Sequence, residues 1–273
     1  MNIKEILKEK NFQFEKKYGQ NFITDTNLLE AIVNDCDINN NDNILEIGPG
    51  AGTLTQCIAK KAHKVLCYEI DTNLKPILNQ TLLNYSNVQV VFEDIMKVNE
   101  KAITDVLGDK YTIVANLPYY ITTPIIFKFL SSSCLQKMCI MVQKEVAERI
   151  VAKKGKDYGI LSILIDFNYD AKILRIVNRQ LFTPAPNVDS AIVMIEKKDK
   201  ACSCDYEDFV KVVHASFAMR RKTLVNNLSS AFKITKEQCE ELLKDFIPNV
   251  RAENLSTDDF VILTNKLQNF IKQ

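Results

Sequence analysis

The segment Asn116-Leu117-Pro118-Tyr119 combines an amide, a rigid turn and an aromatic ring directly after the apolar run Tyr111 to Ala115. The side-chain oxygen of Asn116 and a backbone carbonyl near Leu117 are acceptors that can hold the two N–H groups of an exocyclic amine. Tyr119 is suited to stacking on a base that has been turned out of its helix. The spacing therefore predicts a site that alkylates the amine of adenine, a poor nucleophile that must be held and aligned.

A glycine-rich turn follows the first predicted buried strand, Asn43 to Ile47. Gly48, Gly50 and Gly52 alternate in this turn, and helical spacing begins at Leu54. Glycines in such a turn let the backbone approach a ligand closely. The fingerprint of a dinucleotide dehydrogenase has a wider gap before its third glycine, so the strict alternation favours a ligand without a pyrophosphate.

Acidic side chains follow the next two predicted strands. The strand Lys64 to Tyr68 leads to Glu69, about twenty residues beyond the glycine turn, where an acid can accept hydrogen bonds from both hydroxyls of a ribose. Asp71 is the alternative acid, although we expect it to cap the helix that follows. The strand Val88 to Phe92 leads to Asp94, which we expect to accept a hydrogen bond from an adenine amine.

Two isoleucines directly after these acids, Ile70 and Ile95, are expected to cover the two faces of the adenine ring. Ligands in open α/β sheets bind at the carboxyl ends of the strands. We therefore expect one crevice to collect the glycine turn, both acids and Asn116.

The elements that must position these residues follow an α/β pattern. A helix is predicted from about Asn27 to Asp35, with Asp25 or Thr26 as its cap. Beyond it, predicted strands and helices alternate through the first half of the chain, which indicates a parallel sheet with right-handed crossovers. Lys172 to Val177 and Ala191 to Glu196 are predicted as closing strands.

The last quarter of the chain has helical spacing and follows a polar, charged linker, Lys197 to Cys204. Its predicted helices are Tyr206 to Phe217, Leu224 to Phe232, Lys236 to Asp245 and Thr257 to Phe270. The sequence therefore predicts a sheet domain over residues 1–197 and a small helical domain over residues 198–273.

Composition excludes several other classes of protein. The 273 residues carry a net charge of +1, and no apolar run is long enough to span a membrane. Because the first residues resemble neither a signal peptide nor a transit peptide, we expect a soluble cytoplasmic protein. The eight cysteines are scattered, so we expect reduced thiols, with neither disulfides nor a metal site.

Over most of its length the chain resembles S-adenosylmethionine-dependent adenine N6-methyltransferases, and more closely the KsgA-type (RsmA) small-subunit ribosomal RNA adenine dimethyltransferases. The last two of the matching segments discriminate, since Erm-type antibiotic-resistance methyltransferases share the earlier ones and lack a comparable Arg-Arg-Lys-Thr-Leu. Erm-like methylation of large-subunit RNA is therefore the alternative. The matching segments are Lys17 to Ile23, Glu46 to Gly50, Glu69 to Asp71, Asn116 to Tyr119, Val142 to Arg149, Phe182 to Ser190 and Arg220 to Leu224.

The resemblance implies roles for individual residues. Asn116, Leu117, Pro118 and Tyr119 would form the catalytic turn, with Tyr119 on one face of the target adenine and Phe182 approaching the other. Asn116 would also serve the methyl donor. The cofactor contacts implied in this way are Asn21, Ile23, Gly48, Gly50, Glu69, Ile70, Asp94, Ile95 and Asn116.

The resemblance also implies a Rossmann-like class I methyltransferase sheet and a helical domain that recognises RNA or the ribosome. The implied reaction is N6,N6-dimethylation of two adjacent adenosines in a 3′-terminal hairpin loop of 16S ribosomal RNA, with a role in biogenesis of the small subunit. S-adenosylmethionine would be the methyl donor, without a metal, and a 30S-type particle the partner of a monomeric enzyme. An assembly factor without turnover and a dehydrogenase are the alternatives from other classes.

Overall fold

The computed structural model describes residues 6, 9, 12, 15, 19–23, 25–199, 202–219 and 221–271. The chain divides into two compact units. The sheet unit runs up to residue 147 and includes 172–197, and the helical unit comprises 148–171 and 198–273. The basic residues Lys16, Lys17 and Arg220 lie outside the described residues.

The strands and helices of the sheet unit alternate as the apolar patterns predict. In chain order they are β1 (Phe22–Ile23), α1 (Thr26–Asp35), β2 (Asn43–Ile47), α2 (Thr53–Ala59), β3 (Lys64–Glu69), α3 (Lys75–Thr81), β4 (Val88–Phe92), α4 (Glu100–Leu107), β5 (Tyr111–Asn116), α5 (Thr122–Leu130), β6 (Leu135–Gln143), α6 (Lys144–Val151), which continues into the helical unit, then β7 (Tyr169–Val177), β8 (Phe182–Thr183) and β9 (Ser190–Lys197).

Seven strands form one sheet in the order β4-β3-β2-β5-β6-β9-β7. The pairs from β4 to β6 are parallel, whereas β9 lies antiparallel to β6. The chain order reverses between β2 and β5, and such a switch point opens a crevice at the carboxyl ends of the two strands. The predicted class of fold is therefore confirmed, and the crevice lies between the glycine turn and Asn116.

The inner strands are apolar because both faces of a parallel sheet are covered. Ile44 and Leu45 of β2 and Ile113 and Val114 of β5 are fully buried. The short strands β1 and β8 form a separate antiparallel pair, in which Ile23 lies opposite Phe182.

The helical unit contains α7 (Ile160–Asn168), α8 (Tyr206–Ser216), α9 (Leu224–Phe232), α10 (Lys236–Leu242) and α11 (Thr257–Ile271). Phe167 packs against Phe209 with ring centroids 4.3 Å apart, and the Tyr158 hydroxyl donates to the Leu255 carbonyl at 2.9 Å. These contacts explain why residues 148–171 group with the helical unit, although the sequence-based division places them in the first domain. None of the described helices is both long and apolar enough to cross a membrane.

Cys36 and Cys139 form a disulfide, so the expectation of eight reduced cysteines is wrong for this pair. Cys36 follows α1 and Cys139 lies within β6, and their Cα atoms are 5.8 Å apart, inside the usual range for a disulfide. The partners are 103 residues apart in sequence, with no spacing motif that marks them. The other six cysteines are free thiols.

Candidate active site

A cavity of about 780 Å³, open to solvent, lies at the carboxyl ends of the parallel strands. It brings together the glycine turn after β2, Glu69 at the end of β3, Asp94 after β4, and the turn at the end of β5. Of the residues expected from the sequence, those in its lining are Asn21, Gly48, Gly50, Glu69, Ile70, Asp94, Ile95, Asn116, Leu117, Pro118 and Tyr119. The predicted convergence on one crevice is therefore observed.

The glycine turn approaches the cavity with backbone alone. Gly48 has φ +71°, and no heavy atom lies within 4 Å of the position that a Cβ would take. Gly50 has φ +57°, and a Cβ there would meet Cε1 of Phe22 at 2.8 Å. Left-handed backbone favours glycine at both positions, and the open space beside Gly48 leaves room for a ligand against the chain.

The carboxylate of Glu69, the last residue of β3, is held by two backbone amides. Oε2 accepts from the Gly50 amide at 3.1 Å and Oε1 from the Asp71 amide at 2.9 Å. Each oxygen keeps a second lone pair, so both can still accept from hydroxyl groups. Burial raises the pKa of Glu69 to about 6, against the lowering effect of these amides. Asp71 caps the next helical turn by accepting from the Asn73 amide, as expected.

Asp94 and the two isoleucines, Ile70 and Ile95, line the same cavity. Oδ1 of Asp94 accepts from the Met96 amide at 3.0 Å, which fixes the carboxylate and leaves Oδ2 as an acceptor. Ile70 is 44% exposed, whereas Ile95 is buried. Both isoleucines therefore offer apolar surface to a ligand in the cavity.

Asn116 occupies the end of β5 beside the switch point. Its Nδ2 donates to the Asn21 carbonyl at 3.0 Å, so Oδ1 is the atom left to accept a hydrogen bond. The next amide, of Leu117, donates to the Met141 carbonyl at 3.2 Å. The Pro118 carbonyl accepts from the hydroxyl of Thr122 at 3.1 Å. These bonds hold the turn rigidly on both sides of Leu117.

Tyr119 begins a short 3-10 turn, Tyr119–Ile121, and is half-buried at the cavity. Its hydroxyl shares a hydrogen bond with the Ser190 hydroxyl at 2.7 Å. Burial raises the pKa of the Tyr119 phenol. The ring is therefore a neutral aromatic surface, tethered at its far end.

The segment 19–22 forms a further wall that the sequence analysis assigned only at Asn21. Gly19, Gln20 and Phe22 also line the cavity, as does Tyr120. Nε2 of Gln20 donates to Oδ2 of Asp71 at 2.7 Å and so ties this segment to the end of β3. A polar and aromatic stretch without helical or strand periodicity was the available signal.

Two residues implied by the resemblance are not in this lining. Phe182 is 4% exposed and packs in the apolar core, so its contact with a target base stays a prediction that the present packing does not support. Ile23, its partner in the β1–β8 pair, is buried and borders a neighbouring cavity of about 510 Å³. The burial of Ile23 and Phe182 follows from a pairing between segments about 160 residues apart, which a local motif does not encode.

Glu46, the second-last residue of β2, has a buried carboxyl group and lines this neighbouring cavity. Cys67 donates to its Oε2 through sulfur at 3.6 Å. Burial raises the pKa of Glu46 to about 7. Within the described residues, no group of three or more His, Cys, Asp or Glu side chains is placed to hold a metal ion.

The family model described as ribosomal RNA adenine dimethylase matches residues 11–269. A ribosomal RNA small subunit methyltransferase A of Geobacillus sp. (strain WCH70) is 43% identical over 98% of this chain and 96% of its own length. The protein of the same name from Clostridioides difficile (strain 630) is 44% identical over 96% of this chain and 93% of its own.

Two solved structures resemble the fold over 91% of this chain. A dimethyladenosine transferase from Plasmodium falciparum superimposes with a TM-score of 0.80 at 26% identity and is covered to 98%. The 23S rRNA methyltransferase ErmE superimposes with a TM-score of 0.72 at 23% identity, over 100% of its own chain. At this identity the likeness concerns the fold only.

Proposed function

Because the chain belongs to the ribosomal RNA adenine dimethylase family, we propose that it transfers methyl groups from S-adenosylmethionine to N6 of adenosines in small-subunit ribosomal RNA. The full reaction is N6,N6-dimethylation of two adjacent adenosines in a 3′-terminal hairpin loop of 16S RNA, as a step of small-subunit biogenesis. One observation carries the proposal: the glycine turn, Glu69, Asp94 and Asn116 border a single cavity.

The residues present fit the methyl donor. The open space beside Gly48 accommodates a group in contact with backbone, Glu69 offers two oxygens to a ribose, and Asp94 keeps Oδ2 for an adenine amine. Ile70 and Ile95 supply apolar surface for the faces of that adenine. When bound, S-adenosylmethionine supplies an electrophilic methyl group, so the protein needs no nucleophile of its own.

The task of the chain is to hold the target amine in line and to exclude water. Oδ1 of Asn116 and the Leu117 carbonyl accept its two N–H groups, because Nδ2 of Asn116 and the Pro118 carbonyl are already engaged. As positive charge develops on the amine nitrogen, these preorganised acceptors stabilise it. The Tyr119 ring stacks on the face of the target base.

Exposed basic residues provide contacts for RNA phosphates. In the sheet unit Lys144 is exposed, and in the helical unit the exposed basic side chains include Arg149, Lys153, Lys154, Lys156, Arg221 and Lys222. Lys153 also pairs with Asp166, so it is only in part available for RNA. A folded particle recognised by shape and phosphates needs such surfaces. We propose that the substrate is a 30S-type particle, that the enzyme acts as a monomer in the cytoplasm, and that the helical domain recognises the RNA.

Labelled S-adenosylmethionine incubated in parallel with unmodified small and large ribosomal subunits tests the proposal. We expect label in dimethyladenosine from the small subunit only, and a steep loss of RNA affinity with salt. Label from the large subunit would assign the enzyme to the Erm-like alternative. An absence of label from both, with the donor bound, would leave an assembly role without turnover.

A further inference from the structure

A fully buried serine holds the aromatic ring that borders the catalytic turn. Ser190 is the first residue of β9, and its hydroxyl lies 2.7 Å from the Tyr119 hydroxyl. No role in binding or turnover follows for Ser190 from the acceptors and stacking surfaces described above. Its hydrogen bond nevertheless ends on Tyr119, the side chain of the catalytic turn proposed to stack on the target base.

The hydrogen bond spans three neighbouring strands. Asn116 at the end of β5 is in register with Met141 of β6, and Gln143, two residues further along β6, is in register with Ser190 of β9. Tyr119 therefore reaches from the turn after β5, past the end of β6, to β9. The bond therefore joins the side chain of a residue in the turn after β5 to β9, a strand that does not pair with β5.

Ser190 is held in place because Asp189, the residue before it, accepts two hydrogen bonds. The Asp189 carbonyl accepts from the Lys144 amide at 3.0 Å, and Oδ1 of Asp189 accepts from the Arg179 amide at 3.0 Å. The Ser190 backbone then enters the β6–β9 ladder. A hydroxyl held in this way offers one position for the end of the Tyr119 ring.

The geometry points to Ser190 as a positioning residue for methyl transfer, acting through the Tyr119 hydroxyl; this inference rests on the proposed function. A tyrosine on an exposed turn samples several rotamers, and a ring that must be ordered when the base arrives costs free energy at that step. The Ser190 bond orders the ring beforehand. A misplaced ring lets the base tilt and moves its amine out of line with the methyl donor.

The effect is expected in kcat and not in KM. Phosphate contacts elsewhere dominate RNA affinity, whereas the ring meets the base only in the reactive complex. We also expect cofactor binding to be unchanged, because Ser190 is not in the lining of the main cavity and Tyr119→Phe keeps the aromatic ring there. A purely structural hydrogen bond would instead change stability and leave the ratio of kcat to KM as it was.

The test compares Ser190→Ala, Tyr119→Phe and the double variant, on unmodified small subunits, with cofactor affinity measured by calorimetry. We expect each single variant to lose about 10-fold in kcat, with KM and cofactor Kd within about twofold of wild type. Since both changes remove the same bond, the double variant should match Tyr119→Phe within about twofold.

Tyr111→Phe is the matched control, because the Tyr111 hydroxyl shares the same kind of bond with Ser132, at 3.1 Å, at the opposite end of β5. It should lose stability but keep kcat. Wild-type kcat in Ser190→Ala, additive losses in the double variant, or a fall in cofactor affinity equal to the fall in kcat would each overturn the inference. Failure of the wild type to methylate would instead count against the proposed function.

Discussion

The two ends of β5 carry the same pair of side chains in opposite surroundings. At the amino end Tyr111 is 2% exposed, bonds to Ser132 and packs edge-on against Phe129. Just beyond the carboxyl end, Tyr119 is half-buried, bonds to Ser190 and borders the cavity. In a parallel sheet the loops that carry ligands leave the carboxyl ends, so we expect the Tyr111–Ser132 pair to be structural and the Tyr119–Ser190 pair to act in function.

The largest expected effect is at the carboxyl end of β5, from Asn116→Ala. Removing one preorganised acceptor costs roughly 10²-fold in rate or more, so kcat should fall by at least that factor. The measurement is single-turnover methylation with saturating donor. Undiminished turnover with the donor bound would show that Asn116 does not hold the target amine.

Asn43→Ala is the matched change at the amino end of a strand. Nδ2 of Asn43 donates to the Leu107 carbonyl at 2.6 Å, much as Asn116 donates to Asn21. This variant should lower the free energy of unfolding and leave kcat unchanged. If both asparagine variants lost activity equally, the contrast between the strand ends would not hold.

Glu46 and Glu69, near the carboxyl ends of β2 and β3, sharpen the comparison within one edge of the sheet. Burial raises the pKa of Glu46 to about 7 from an ordinary value near 4.5. Its contribution to stability is therefore complete below about pH 4.5 and is lost as pH rises through 7. Relative to Glu46→Gln, the wild type should lose up to about 3 kcal/mol of unfolding free energy across that window.

Urea unfolding of the wild type and Glu46→Gln at pH 5 and pH 8 measures this difference. Parallel pH profiles for the two proteins would show that Glu46 does not carry a raised pKa in the folded state.

Glu69 should instead reveal itself in binding. Glu69→Gln removes the charge of the proposed acceptor of ribose hydroxyls and should weaken cofactor affinity by about 10-fold. Because the pKa of Glu69 is raised to about 6, wild-type affinity should also fall as pH drops through 6 and the carboxylate takes up a proton. Calorimetry at pH 5.5 and pH 8 tests both expectations, and an equal pH dependence in the variant would contradict the assignment.

The smallest expected effect is that of Tyr111→Phe. Loss of one buried hydrogen bond to Ser132 should lower the unfolding free energy by about 1 kcal/mol, with kcat within about twofold of wild type. Thermal unfolding and steady-state kinetics measure the two quantities. A loss of kcat comparable to that of Tyr119→Phe would remove the distinction between the two tyrosines.

Much of the site was predictable because its residues follow strands in the chain. The strand β2 matches its predicted bounds, Asn43 to Ile47, and β4 matches Val88 to Phe92. Apolar runs and turn chemistry are local properties, so the residues at the end of each strand could be placed at one edge of the sheet. The residues expected at the strand ends, Gly48, Glu69, Asp94 and Asn116, therefore line one cavity.

Other features depended on contacts that local patterns do not encode. Phe182 and Ser190 were both recognised as part of one matching segment, yet the structure places Phe182 in the core and Ser190 against Tyr119. The difference follows from two pairings, β8 with β1 and β9 with β6. Without the order of strands, neither side chain can be assigned a neighbour.

Sequence alone determined the class of fold, the family, the glycine turn, the acids Glu69 and Asp94 at or just beyond strand ends, and the turn at Asn116. The glycine turn, the acids and the Asn116 turn depend on residue types within a few positions of a strand end, whereas the class of fold and the family depend on patterns along the whole chain. Tertiary structure decided the Cys36–Cys139 pair, the grouping of residues 148–171 with the helical unit, and the bond from Tyr119 to Ser190. These features join residues that are brought together only by strand order and packing, which a local periodicity does not record.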